Sequence, residues 1–332
     1  MASSPSGTVP RRPLLDAAGY RTLGLFVFIV VCLAAVSISN PHFLDTNNLK
    51  TISSDTAILI IAASGQLLVM LAGNIDISTS SIIAVSGFSS ALMMKNYPDT
   101  PLVCIALLAL GIGLILGIVN GVIIAFAEVP AIIVTLGTLS IYRGLNFLIS
   151  KGGWVVSRDL PKKYTEMANA EWFGTPVITN MLVISLIVAF FIHVFLNRTR
   201  PGRRLYAIGS NKTNAKLIGI KVSWYIFLTY AACGALTGLA GGMWCSRYNF
   251  AQSSTGVGYE MTIIASCVIG GTSVTGGRGS TLGMVLGAFL LSMIIHAMNI
   301  LKVSPFWKMF IQGAIILAAV ILDSYMSRRS KA

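Results

Sequence analysis

Apolar residues run through this chain in long stretches separated by short polar ones. About ten runs stand out: 21–39, 52–72, 79–95, 101–127, 130–150, 179–197, 222–246, 259–273, 280–300 and 306–325. A helix that crosses a bilayer core needs roughly 20 apolar residues. The pattern therefore predicts an all-α polytopic membrane protein of about ten transmembrane helices. The runs at 79–95 and 259–273 are short, and each could be a re-entrant or broken helix. The expected organisation is an N-terminal tail over 1–20, one transmembrane domain over 21–325 and a C-terminal tail over 326–332. Within the domain, two loops are long enough to matter, 151–178 and 198–221.

Composition agrees with this pattern. The 332 residues are 55% hydrophobic and 11% charged, with a mean hydropathy of +0.79. Soluble domains carry about 25% charged residues. A net charge of +13 would suit nucleic acid, but its distribution points elsewhere. Arg198, Arg200, Arg203, Arg204, Lys212, Lys216 and Lys221 crowd one loop that has no acid. Arg11, Arg12 and Arg21 precede the first run, and Arg328, Arg329 and Lys331 follow the last. Ten crossings put these clusters and Arg278 on one face, which the positive-inside rule makes cytoplasmic, with both termini. The loop 151–178, with Trp154 and Trp172, then falls outside. The first run lacks a small-residue cleavage site and reads as a retained helix.

Glycines recur at intervals of four. Gly113, Gly117 and Gly121 form one ladder; Gly234, Gly238 and Gly242 a second; Gly279, Gly283 and Gly287 a third. Such spacing puts each set on one helix face, where backbones approach closely. The first ladder is followed by a turn at Glu128-Val129-Pro130 and the third by one at Val303-Ser304-Pro305. If helices 2–5 repeat as helices 7–10, the single intervening span inverts the second copy, an arrangement found in transporters.

The stretch Ala72–Thr79, AGNIDIST, places an amide, a carboxylate and a glycine between two apolar runs. Ionisable groups at membrane depth are costly and mark pathways. The same residues also suit a short turn in which Asp76 caps the next helix. Other embedded polar residues are Gln66, Asn120, Arg143, Asn146, Glu260, Asn299 and Gln312. Among the charges, Arg143 and Glu260 alone look placed to face a pathway or each other. Cys32, Cys104, Cys233, Cys245 and Cys267 have no CxxC spacing and read as small packing residues. His42, His193 and His296 share no ligand spacing, so no metal site is expected.

In the basic loop, Pro201-Gly202 suggests a turn. Ser210 or Asn211 can cap a short helix from Lys212 to about Ile218, stopped by Gly219. The chain has no Gly-Lys dipeptide, hence no phosphate-cradling P-loop. No nucleophile–base set is visible either. This chain is expected to be no enzyme and to bind no cofactor; ATP would be used by a separate subunit.

Several motifs in order resemble the membrane permeases of bacterial ribose-type ABC sugar importers, from about residue 40 to 325. They are GNIDIST, NGVIIAFAEVPAIIVTLGTLSIYRGL, RPGRRLYAIGSNKTNAKLIGI and GVGYEMTIIASCVIGGTSVTGGRGSTLGMVLGAF. The resemblance implies a permease in the bacterial inner membrane that pairs with a second permease chain, as homo- or heterodimer. It implies a periplasmic sugar-binding protein and a cytoplasmic ATPase that consumes ATP with Mg²⁺. It implies that Asn211, Lys212, Asn214, Ala215, Leu217 and Gly219 form the helix that couples to that ATPase. The segments matching 73–78, 130–138 and 256–273 would line or brace the path. Asn74, Thr79 and Ser80 stand where members often have Gly, Val and Gly. TLGTLSIYRGLNFLISKGGWV resembles permeases for ribose, rhamnose or a furanosyl signalling sugar. Pathway candidates are Asn74, Asp76, Ser78, Asn120, Thr135, Thr138, Tyr142, Arg143, Asn146, Glu260 and Gln312. The runner-up class is an ion-coupled secondary transporter of a small polar solute, working through Asp76, Arg143 and Glu260.

Overall fold

A computed structural model describes residues 17–304 except 169 and 173, and scattered positions from 306 to 321. Gln312, most of the tenth apolar run and the basic residues of both tails lie outside the described residues.

The long helices are α1 (Ala17–Ser39), α2 (Thr46–Leu71), α3 (Thr79–Asn96), α4 (Leu102–Phe126) and α5 (Ala131–Ser150). After a short α6 (Lys162–Met167) come α7 (Asn180–Arg198), α8 (Arg200–Ser210) and α9 (Lys212–Leu217). The chain then forms α10 (Val222–Tyr248), α11 (Tyr259–Ile269) and α12 (Thr281–Ile300). Among the described residues, seven helices are long and apolar enough to cross a membrane: α1, α2, α4, α5, α7, α10 and α12. These seven match seven of the ten apolar runs. The short run at 259–273 forms a helix of only 11 residues, Tyr259–Ile269, which rises about 16 Å, roughly half a bilayer core.

The helix α3 is 18 residues long but serine-rich. It is nearly all buried, so it faces protein and need not be apolar. Two of its hydroxyls bond its own backbone: Ser86 Oγ donates to the Ile82 carbonyl and Ser90 Oγ to that of Ser86, both at 2.7 Å.

The bundle is organised around α10, which packs on α4, α3 and α2. Glycine makes this possible. A Cβ on Gly117 would lie 2.9 Å from the Gly234 Cα, and one on Gly238 would lie 2.8 Å from the Gly113 Cα. At Gly121 a Cβ would sit 2.9 Å from the Phe227 carbonyl oxygen, and at Gly242 the same distance from Ala109 Cβ. On the other side, Gly283 and Gly287 of α12 abut Gly270 at the end of α11. Gly279 is not part of that helix face. It precedes the N-cap Ser280, whose Oγ accepts from Gly283 N at 3.0 Å.

The two ends of the bundle differ. One carries α8 and α9, the basic loop. The other carries the loop 151–178, folded into a cap. There β1 (Val155–Val156) pairs antiparallel with β4 (Phe250–Ala251), and β2 (Glu171–Trp172) with β3 (Thr175–Thr179). Tyr164 is buried under the cap and donates to the Gly242 carbonyl at 2.8 Å. Lys95–Asp159 and Lys50–Glu171 ion pairs, at 3.0 and 2.8 Å, tie the cap to α3 and α2.

Candidate functional site

The chain between α2 and α3 is a break set within the bundle. Gly73 has φ +76°. Its N–H donates to the Met70 carbonyl at 2.9 Å, and Asn74 N to that of Val69 at 3.1 Å. These two bonds form the left-handed helix ending that glycine favours. Gln66, its amide oriented to satisfy both partners, donates to the Asp76 carbonyl at 3.1 Å and accepts from Asp76 N at 3.3 Å. Tyr230 of α10 donates to the Ile75 carbonyl at 3.1 Å.

Asp76 is fully buried. Its Oδ1 accepts from Ser78 N at 2.9 Å and Ser78 Oγ at 2.6 Å. Asn120 Nδ2 then donates to Ser78 Oγ at 2.8 Å. Tyr142 OH donates to Asn120 Oδ1 at 3.1 Å and to the Leu116 carbonyl at 2.9 Å. The carboxylate is thus the head of a polar chain through α4 to α5, and its Oδ2 has no protein partner. Asp76 does not cap α3 as the turn reading expected: the N-cap is Ser78, and Asp76 binds that residue's own N–H and hydroxyl instead of an N–H of the first helical turn.

A second break joins α10 to α11, near the capped end. Asn249, Gly256 and Gly258 have φ of +53°, +70° and +81°. Here α5 supplies donors for carbonyls of the connecting segment. Arg143 Nη1 reaches the carbonyls of Thr255 (2.6 Å) and Ser253 (3.1 Å). Asn146 Nδ2 reaches the Ser253 carbonyl at 3.1 Å. Glu260, in the first turn of α11, is not bridged to Arg143, and its Oε2 is buried without a partner. Asn74 is half-buried in the first break. Thr135 and Thr138 bond their own helix, to the carbonyls of Ala131 (2.9 Å) and Thr135 (3.4 Å).

The geometry therefore sorts the candidates into two groups. Asn74, Asp76, Ser78, Asn120 and Tyr142 gather at the first break; Arg143, Asn146 and Glu260 gather at the second.

At the basic end, Pro201 and Gly202 do not make a free turn. They occupy the first turn of α8, where proline's missing N–H costs nothing. Thr199 caps it, accepting from Gly202 N at 3.1 Å. The helix buries Leu205 and Ile208 and exposes Arg200, Arg203 and Arg204. Asn211 caps α9 by accepting from Asn214 N at 2.9 Å, and Gly219 ends it with φ +81°. Ala215 is buried, whereas Leu217 and Ile218 are 80% and 74% exposed. Lys212 Nζ donates to Asn74 Oδ1 at 3.4 Å. A Cβ on Gly209 would overlap the Leu71 carbonyl oxygen, and Gly277 N donates to that same oxygen at 3.1 Å. A cleft of about 250 Å³ opens beside α9, bounded by Asn74, Glu128, Pro130, Lys212, Lys216 and Ser223.

Arg143 and Glu260 are not the only embedded charges placed to interact. Asp55 of α2 and Arg247 of α10 form an ion pair at 3.3 Å, and Tyr248 donates to the same carboxylate oxygen at 3.2 Å. Arg247 lies just past the edge of its apolar run, which hid it. Three of the five free cysteines (Cys233, Cys245 and Cys267) are buried, while Cys104 is exposed. Among the described residues, no group of histidine, cysteine and carboxylate side chains could hold a metal ion.

Comparison with known proteins agrees with the motifs. The family model described as the permease component of branched-chain amino acid transport systems matches residues 48–320. The chain belongs to this permease family. It is 32% identical to the autoinducer 2 import system permease protein LsrC of Photorhabdus luminescens, over 91% of this chain and 89% of that one. LsrC of Escherichia coli K12/DH10B is 33% identical, over 91% and 86%. The ribose import permease protein RbsC of Haemophilus influenzae is 33% identical, over 92% and 93%. No solved structure matches. As a family member with seven long apolar helices among its described residues, the protein is a multi-pass membrane permease.

Proposed function

We propose that this permease is the transmembrane subunit of an ABC importer, forming the path for a monosaccharide delivered by a periplasmic binding protein. The observation that carries the reading is similarity along 91–92% of the chain to permeases named for autoinducer 2 and for ribose import. The substrate class is ribose-like, rhamnose-like or a furanosyl signalling sugar. A neutral sugar needs hydroxyl and amide partners more than charge. Ser78, Asn120, Tyr142 and Asn146 are of that type, with Asn74, Asp76, Thr135, Thr138, Arg143 and Glu260 lining or bracing the path.

The energy source is a separate ATPase that uses ATP and Mg²⁺. Its dock is α9, where exposed Leu217 and Ile218 lie within a basic surface. By the positive-inside rule that end faces the cytoplasm of a bacterial inner-membrane protein. Two such chains, identical or not, enclose the path. Ten crossings arranged as inverted repeats, helices 2–5 and 7–10, fit two further observations. The two breaks lie toward opposite ends of the bundle. Glu128 and Lys302, each two residues past the end of a matching helix, both have positive φ, +56° and +54°. Closure of the ATPase would move α9, and with it the two halves about the midplane.

The test is reconstitution in liposomes with the ATPase and binding protein encoded beside this gene. Ribose, rhamnose and autoinducer 2 would be offered in turn. Uptake of one sugar that needs both ATP and the binding protein is the expected result. Accumulation by this chain alone down an ion gradient would overturn the reading.

A further inference from the structure

Arg143 stands at the mouth of the second break, opposite the basic end. Its guanidinium comes from α5, while the carbonyls it holds belong to Ser253 and Thr255. Asn146, three residues on and on the same helix face, reinforces the grip on Ser253. The held segment is bounded by residues with positive φ, Asn249 on one side and Gly256 and Gly258 on the other. Its neighbour β4 is paired with the outer cap through Val155–Val156. Import through this end requires the segment to lift away from α5, a need that rests on the transport reading above.

Lifting poses a problem for the guanidinium. It stays charged at every physiological pH and carries five donors. Half-buried and stripped of its carbonyls, it would leave an uncompensated charge, a costly state. Glu260 offers the remedy. It sits in the first turn of α11, two residues after Gly258 and five after Thr255, whose carbonyl Arg143 holds. Its Oε2 is buried without a hydrogen-bond partner. The carboxylate is thus close, but unused in this state.

We infer that Arg143 is a two-position latch: it holds the Ser253 and Thr255 carbonyls when the mouth is shut and transfers to Glu260 when the mouth opens. Arg143 and Glu260 are positioning residues in this scheme, acting on the loop rather than on the sugar. The exchange keeps the guanidinium partnered in both states. It also keeps the two states discrete, as a switch requires.

The experiment uses the full reconstituted transporter with its ATPase and binding protein. Ser253→Cys, in a chain whose five native cysteines are replaced, is labelled by a membrane-impermeant thiol reagent with and without nucleotide. In the parent, labelling rises in the open state. Glu260→Gln should hold the mouth shut: the complex assembles, labelling loses its nucleotide dependence, and uptake falls about tenfold. Arg143→Gln should label at all times while ATP is consumed without uptake, and Arg143→Lys should fall between. If Glu260→Gln labels and transports like the parent, partner exchange is wrong. Should Arg143→Gln fail to assemble, Arg143→Lys decides: labelling unchanged from the parent also overturns the latch. Failure of the parent to use ATP would instead count against the importer reading.

Discussion

The two breaks in the bundle differ in how deeply their fastenings are buried. Residues 72–78 are fastened within the core: Gly73 closes α2, Asp76 binds Ser78, and the buried Gln66 and Tyr230 hold the Asp76 amide and carbonyl and the Ile75 carbonyl. None of these residues is exposed. The break at 249–258 exposes Ser254, Val257 and Gly258, and depends on side chains reaching over from α5. A segment with exposed residues and hydrogen bonds from a neighbouring helix opens at lower cost than a fully buried one. The first break is a fixed part of the scaffold, and the second is the part built to move. Tyr142 and Arg143, consecutive on α5, serve one each.

Deleting the central fastener separates the two most sharply. Asp76→Ala strips Ser78 N–H and Oγ of their acceptor and should cost about 3 kcal/mol, since bonds to charged groups are the strong ones. Asn146→Ala at the second break should cost about 1 kcal/mol. Thermal unfolding in detergent measures both, and equal losses would end the distinction. Next in size is Gly209→Ala. Its Cβ would overlap the Leu71 carbonyl oxygen at the foot of the first break, and overpacking of this kind costs about 1–3 kcal/mol. The midpoint should fall, with a smaller loss for Gly271→Ala in the loop after α11. That position has open space but φ +85°, so its loss should stay near the roughly 1 kcal/mol of left-handed strain. Tyr142→Phe ranks third. It removes bonds to Leu116 and Asn120, and interhelical bonds in membranes average about 0.6 kcal/mol. A loss above about 2 kcal/mol would mean the polar chain from Asp76 acts as one unit.

Much of this was legible in the chain. The apolar runs, the AGNIDIST break and the cap and stop of the short helix at 212–217 follow from local rules, because composition and capping act over a few residues. What escaped was relational. Asp55 and Arg247 are 192 positions apart, and hydropathy does not say which helix faces which. Tyr230 sits among the glycines of α10, with no local sign that its hydroxyl serves Ile75. Helix α8 was hidden because Pro-Gly reads as a turn, although proline fits a first helical turn equally well. Hydropathy also left the length of the helix at 259–273 open: the run is apolar throughout, but Gly270 caps its helix after 11 residues.

The smallest effect tests whether the first break leans on the basic loop. Lys212 touches it only through a long 3.4 Å bond to Asn74. Burial lowers the ammonium's pKa below the ordinary 10.5, and repulsion from Lys216 lowers it further. Folding therefore disfavours the protonated lysine. The penalty is in full force at neutral pH and fades as pH rises towards 10.5, so this group makes the folded state firmer in alkali. Lys212→Met should remove that dependence and change stability at pH 7 by no more than about 0.5 kcal/mol, as for most surface substitutions. Unfolding midpoints of parent and variant from pH 7 to 10.5 provide the check. The parent's should gain on the variant's as pH rises. A loss above about 1 kcal/mol at pH 7 would mean that α9 helps hold the first break shut, and that this break is not fastened within the core alone.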